Sequence, residues 1–390
     1  MLTSLALILL IGLALASIVE KLGLPRLVGM LIGGIILSPS ILNVVDISIL
    51  NISLDLRKMA LIVILIRAGL ALNVKELSRV GRPAVLMSFL PACFEMGVVV
   101  ILAPMLFGIS LLDAAIIGVV LAAVSPAVIV PKMIYLIQNK IGTKKSIPQM
   151  IMSAGTVDDL FLITLFTVFT SMATGHEFSL STLGLVPIAI VIGIAVGLCI
   201  GYLFCLFLKK VHTRDSIKVL LVLAISFVMV EVENRLEDLL PFSSLLAVMA
   251  LGVALLHFYE PLAKRLSLKF SKVWIFAELL LFVLVGVSVD INYALSAGPL
   301  VVVLVFCALL GRMVGVGVCL IGTDLNSKER LFCMLAYIPK ATVQAAIGSI
   351  PLSMGLDCGD IVLTVAVLSI LITAPLGAFA IDLSYKKLLT

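Results

Sequence analysis

Two adjacent carboxylates, Asp158 and Asp159, stand in a stretch from Ile147 to Ser171 that carries no other charge. An aspartate at the centre of a membrane helix costs about 2.5–3.5 kcal/mol on insertion scales, so a pair of them implies a cation, a proton or a basic partner rather than mere mutual packing. Successive residues on an α-helix point about 100° apart, so the two acids cannot do the same job. One is placed to face a cavity while the other faces a neighbouring helix. Thr156 and Ser153 offer further oxygens on nearby parts of the same helix. Oxygen ligands with one or two negative charges suit a hard monovalent cation such as Na⁺ or Li⁺, and protonation of the same carboxylates removes its site. Competition between that cation and H⁺ for one acid is sufficient for exchange, provided the site opens to one side at a time.

Lys340 is the obvious counter-charge. It sits centrally in an apolar run, where snorkelling to an interface is difficult. Two readings stay open for it: a pair with Asp158 that breaks when a cation binds, or a static bridge that holds its own helix in place. Glu95 and Arg312 are each the only charge in long apolar surroundings, and a structural ion pair is favoured for them over a transport role. Arg67 and Glu278 are also embedded, with no partner assignable from sequence. His176, His212 and His257 fall at or near helix ends, where a solvated imidazole able to contribute to pH sensing is expected.

These residues need a membrane scaffold, and the composition supplies one. Hydrophobic residues make up 62% of the 390, charged ones 13%, and mean hydropathy is +1.30, which excludes a water-soluble domain. The chain reads as an all-α polytopic membrane protein, a single transmembrane transporter unit over 1–390 with no soluble domain. Apolar runs fall at roughly 2–19, 26–42, 57–74, 82–107, 111–138, 146–173, 182–209, 216–234, 240–258, 268–290, 297–321, 330–351 and 358–384, about thirteen helices. Charges crowd the junction after 234, at Glu231, Glu233, Arg235, Glu237 and Asp238. The seven cysteines form no C-x-x-C and lie mostly inside apolar runs, as packing residues; no metal centre, redox site or cofactor is implied.

The net charge of +5 serves topology, not nucleic acid. Lys75, Arg79 and Arg82, then Lys140, Lys144 and Lys145, Lys209, Lys210 and Arg214, Lys264, Arg265 and Lys269, and Lys328 and Arg330 occupy alternate loops, and Lys386 and Lys387 the tail. The loops near Gly108, Gly175, Asn292 and Gly355 hold almost none. The positive-inside rule therefore places the C-terminus in the cytoplasm and, with an odd helix count, the N-terminus outside the cell membrane. The first run resembles a signal-peptide core, but such a peptide inserts with its start inside and would invert every later loop, so it is expected to be a true helix.

Two helices look broken. Ser125-Pro126-Ala127-Val128-Ile129-Val130-Pro131 puts two prolines near mid-membrane, and Pro339-Lys340-Ala341-Thr342-Val343-Gln344, then Gly348 and Pro351, does something similar. Backbone freed at bilayer depth is tolerated only where protein or a water-filled cavity covers it, and Ser125 is a further candidate oxygen there. The breaks lie roughly 210–215 residues apart, and Glu95 and Arg312 are separated by a similar interval. That is the pattern of inverted repeats, here 26–173 and 240–384, with an ion-binding core of helices at about 82–173 and 297–384.

The first break, followed by Ala154-Gly155-Thr156-Val157-Asp158-Asp159-Leu160, closely resembles the NHA-type sodium/proton exchangers of the cation:proton antiporter superfamily. Pro339 to Gly348 and Leu368-Ser369-Ile370-Leu371-Ile372-Thr373-Ala374-Pro375 resemble the same branch, with looser agreement at Arg67-Ala68-Gly69-Leu70, Glu95 and Gly311-Arg312. The resemblance implies an NhaA-like antiporter fold with crossed broken helices, a homodimer with a dimerisation domain, and a mobile core. It implies that Asp159 is the main cation and proton carrier and that Asp158 assists it and pairs with Lys340, with a double Asp in place of Asn-Asp resembling electrogenic members. Two other readings compete. A sodium-coupled symporter of an organic anion shares the architecture but needs a cluster of substrate-binding groups that the sequence lacks. An intramembrane hydrolase needs its two carboxyls facing each other, which adjacent residues on one helix cannot do, so no enzyme is expected.

Overall fold

The computed structural model describes residues 1–71, 81–174, 180–211, 213–236 and 242–389. Lys75, Arg79, Gly175, His176, His212, Glu237 and Asp238 lie outside the described residues. Within them, all regular structure is helical. The chain opens with α1 (Leu2–Lys21), α2 (Arg26–Leu37) and α3 (Ile47–Ala71), then α4 (Arg82–Met87) and α5 (Leu90–Phe107). The first interrupted pair is α6 (Leu111–Ala122) and α7 (Pro126–Gln138), followed by the acidic helix α8 (Ile147–Ala173). Next come α9 (Leu180–Lys210), α10 (Asp215–Leu236), α11 (Ser244–Phe258), α12 (Glu260–Val287) and α13 (Ile291–Cys319). The second interruption runs through α14 (Ser327–Ala336), α15 (Thr342–Ile347) and α16 (Ile350–Ser353), and α17 (Gly359–Leu388) ends the chain.

Among the described residues eight helical stretches are long and apolar enough to cross a bilayer, counting Arg82–Phe107 and Leu111–Gln138 each as one. The expected thirteen are not reached on that measure, for physical reasons. α2 and α11, with 12 and 15 residues, are short against the ~20 residues a bilayer core needs. α3 and α10 carry several charges each, and the run from Ser327 to Ser353 is in pieces.

The chain divides into two compact units, one of Met1–Leu54, Asn73–Gly175 and Leu281–Thr390, the other of Asp55–Leu72 and His176–Leu280. In the first, α6 starts on Ser110, whose hydroxyl accepts from the Asp113 N–H at 3.1 Å. It stops at Ala122 because the residue before a proline is pushed out of the helical region, and Ser125 before Pro126 is extended at φ −91, ψ 108. Pro126 then opens α7, where its missing N–H is harmless. Pro131, expected to share in the break, stands inside α7 without interrupting it. The second break follows the same logic at Ile338-Pro339, and the chain regains a helix only at Thr342.

Close backbone approaches fix this unit. A Cβ on Gly315 of α13 would sit 2.7 Å from Pro91 Cα of α5, so only glycine admits the crossing that carries Arg312 past Glu95. On α17, a Cβ at Gly377 would meet the Pro339 ring at 2.3 Å, and its absence lets that helix support the second break.

In the second unit, Gly193 and Gly197 of α9 lie against backbone oxygens of Ser243 and Ala247, where added Cβ atoms would come within 2.6 and 2.2 Å. This is small-residue packing of membrane helices. The Arg67 guanidinium rests over the Trp274 ring at 5.4 Å, with Glu278 one turn further along α12 acting on it electrostatically. Those are the partners that sequence left unassigned. His257 is exposed, its ring edge-on to Phe258.

Candidate functional site

The site lies wholly within the first unit, where the two breaks meet. The Ser125 N–H donates to Pro339 O at 2.8 Å, joining break to break, and the Lys340 N–H donates to Thr373 Oγ1 at 2.9 Å. Both donors lack a helical acceptor because their helices are interrupted, and each is satisfied by another element.

Four charges close around this crossing. Glu95 Oε2 accepts from Arg312 Nη1 at 2.9 Å and from Lys340 Nζ at 2.5 Å. Asp158 Oδ2 accepts from Arg312 Nη2 at 2.7 Å and from the Val124 N–H at 3.1 Å. Arg312 also donates to Ala122 O, as does Lys340 at 3.2 Å, so both cations cover the negative end of α6. All four side chains are buried, and two cations against two carboxylates leave the group neutral. The Arg312 guanidinium also faces the Tyr337 ring at 5.3 Å.

The expected Glu95–Arg312 contact is present, but as part of a chain and not as an isolated bridge. The expected contact of Lys340 with Asp158 is not: Lys340 goes to Glu95, and Arg312 takes Asp158. The reason is the α5–α13 crossing, which delivers the longer, forked guanidinium between both acids and leaves the lysine to share Glu95 Oε2 with it.

Asp159 stands apart. Asp158 is fully buried, whereas Asp159 is partly accessible, and the buried Oδ1 of Asp159 has no hydrogen-bond partner. The Ser125 and Thr342 hydroxyls at the two breaks and Asp158 Oδ1 are likewise buried without a hydrogen-bond partner. Carboxylate and hydroxyl oxygens of this kind are the ligand type that suits a hard cation as cargo. Ser153 is buried on the same helix, and Thr156 donates to Met152 O at 3.0 Å, which leaves its lone pairs free to accept. Gln344 and Thr373 also belong to the site and were not singled out by sequence reasoning. The signal for Gln344 was a count of the carbonyls that a break must free, set against a lone amide in an apolar run.

Two interrupted helices that cross inside a membrane body, with one carboxylate left open beside a neutral ion cluster, define a secondary transporter for a small cation. Comparisons with known proteins narrow the class. The family model described as sodium/hydrogen exchanger, transmembrane, matches residues 5–383. The sodium/hydrogen exchanger 9B2 of Homo sapiens is 34% identical over 382 residues, covering 94% of this chain and 70% of the relative, and that of Xenopus tropicalis is 33% identical, covering 93% and 69%. The structure of the sodium proton antiporter MjNhaP1 from Methanocaldococcus jannaschii at pH 8 superposes with a TM-score of 0.85 at 20% identity, over 100% of this chain and 98% of that one. The chain belongs to the sodium/hydrogen exchanger family, a multi-pass membrane protein of the antiporter fold that exchanges Na⁺ for H⁺. The organic-anion symporter reading finds no support in these matches.

Proposed function

We propose that Asp159 alternately binds Na⁺, or Li⁺, and H⁺ between the crossed broken helices. The observation that carries this is the contrast within the acid pair. Asp158 is fully buried and spends Oδ2 on Arg312 and the Val124 N–H, so its charge holds the breaks in register, while Asp159 is partly accessible and joins none of the ion pairs among the described residues. Ser125, Ser153 and Thr156 are the candidates for completing the cation's shell. Na⁺ and H⁺ compete for one carboxylate, and alternating exposure of the site converts that competition into exchange.

One Na⁺ against one proton on Asp159 moves no net charge. Electrogenic exchange, which the double acid suggests, needs a second titrating group, and Lys340 fills that role. The helices at about 82–173 and 297–384 form the mobile ion-binding core, a dimerisation domain joins two copies into a homodimer, and 26–173 and 240–384 are inverted repeats. The alternating basic loops favour a cytoplasmic C-terminus and an outside N-terminus in the cell membrane.

The test is Asp159→Asn in proteoliposomes, read by dequenching of a pH-gradient dye on addition of Na⁺, Li⁺ or K⁺. The amide can neither carry the proton nor balance the cation, so the signal should vanish with folding intact. Wild-type exchange by the folded variant would overturn the assignment.

A further inference from the structure

The first break strips the last carbonyls of α6 of their intrahelical donors, and in a membrane interior each needs a replacement. Ala122 O is served by Arg312 and Lys340. The oxygens of Val120, Leu121 and Ala123 all converge on one atom, Nε2 of Gln344, at 3.0, 3.2 and 2.8 Å. Gln344 is fully buried and reaches across from α15, beyond the second break. An amide nitrogen carries only two hydrogens, so three acceptors must share them. Several carbonyl oxygens converging on one positive centre is also how backbone coordinates a monovalent cation.

We propose that Gln344 is a positioning residue whose amide fills a carbonyl cage that would otherwise take a cation, and thereby confines the transported ion to Asp159. The inference deepens the reading of Asp159 as the carrier and rests on it. A side chain of fixed partial charge in the cage cannot leave with the cargo, so the crossing of the breaks stays closed through the transport cycle. A cation there would compete with the carboxylate for the same ion.

The cage is separated from the carrier by working in an Asp159→Asn background. Melting temperature of the purified full chain is measured in NaCl, KCl and choline chloride. The readout is the extra response of the double variants over D159N alone, so a residual Na⁺ response of D159N itself would count against the carrier and not against the cage. D159N/Q344A, with the cage opened, should show a saturating rise in melting temperature with NaCl or KCl over choline. D159N/Q344E keeps the shape and guards against misfolding of the alanine variant; its ionised carboxylate among carbonyls should demand a cation, giving a shift that grows with pH. In the parent background, Q344A should lose about tenfold or more of the exchange rate, and K⁺ should inhibit what remains while leaving wild type unaffected. If both double variants respond to the three salts as D159N does, or if K⁺ leaves Q344A exchange untouched, the cage is refuted.

Discussion

Glu95→Gln is the sharpest test of the ion cluster. Glu95 Oε2 faces Arg312 at 2.9 Å and Lys340 at 2.5 Å, with every partner buried. At an effective dielectric of about 20 these contacts attract by about 6 and 7 kcal/mol. Desolvation of the three ions offsets much of that, and removing one member of a buried pair leaves a net cost of about 3–5 kcal/mol. The amide is nearly isosteric, so the loss is one of charge: two cations would then face Asp158 alone. Adding Lys340→Met removes the surplus cation and leaves Arg312 balanced against Asp158, while Ala122 O keeps Arg312 as donor. The double variant should therefore recover most of the stability lost by the single one. Heating detergent-solubilised protein and measuring the fraction still monodisperse reads both. E95Q melting like wild type, or E95Q/K340M melting no higher than E95Q, would refute a charge-balanced cluster and leave only packing at this position.

Gly315→Ala should cost about 1–3 kcal/mol by overpacking, because its Cβ would meet Pro91 Cα at 2.7 Å; exchange should fall with it as Arg312 is displaced from Glu95, and a variant with wild-type melting and rate would contradict the crossing. Lys340→Met should abolish any stimulation of exchange by an imposed membrane potential while keeping some dye response, and equal sensitivity in variant and wild type would remove Lys340 from the stoichiometry. In the other unit, the Arg265 hydrogen bond at 2.9 Å, aided by Lys218, holds the Asp215 carboxyl below its ordinary value of 3.8. A depressed carboxyl contributes stability above its unfolded pKa and loses it as pH falls through the folded one. The melting-temperature gap between wild type and Asp215→Asn should thus be full above about pH 4 and close below it; a gap independent of pH would show that the contact is not electrostatic.

What the sequence determined by itself was whatever depends on near neighbours. Hydropathy, the cost of Asp158 and Asp159 in an apolar helix, and the refusal of residues before Pro126 and Pro339 to stay helical are local properties, and they led to an all-helical membrane transporter of this family. Helix count was less legible, because α2 is short and α3 and α10 carry several charges, so length and apolarity do not mark them as spans. Partner choice was legible only in part: the Glu95–Arg312 contact was expected, the partner of Lys340 and the second acid of Arg312 were not. Lys340, Arg312, Glu95 and Asp158 permit more than one neutral pairing, and spacing along the chain does not rank them. The crossing of α5 and α13, allowed by Gly311 and Gly315, decided that Arg312 takes both acids and Lys340 only Glu95. The same holds for Gln344, whose amide gains its meaning only when the second break is laid across the carbonyls of the first. Long-range electrostatics and the satisfaction of freed backbone are settled by which elements meet, and the tertiary fold alone specifies that.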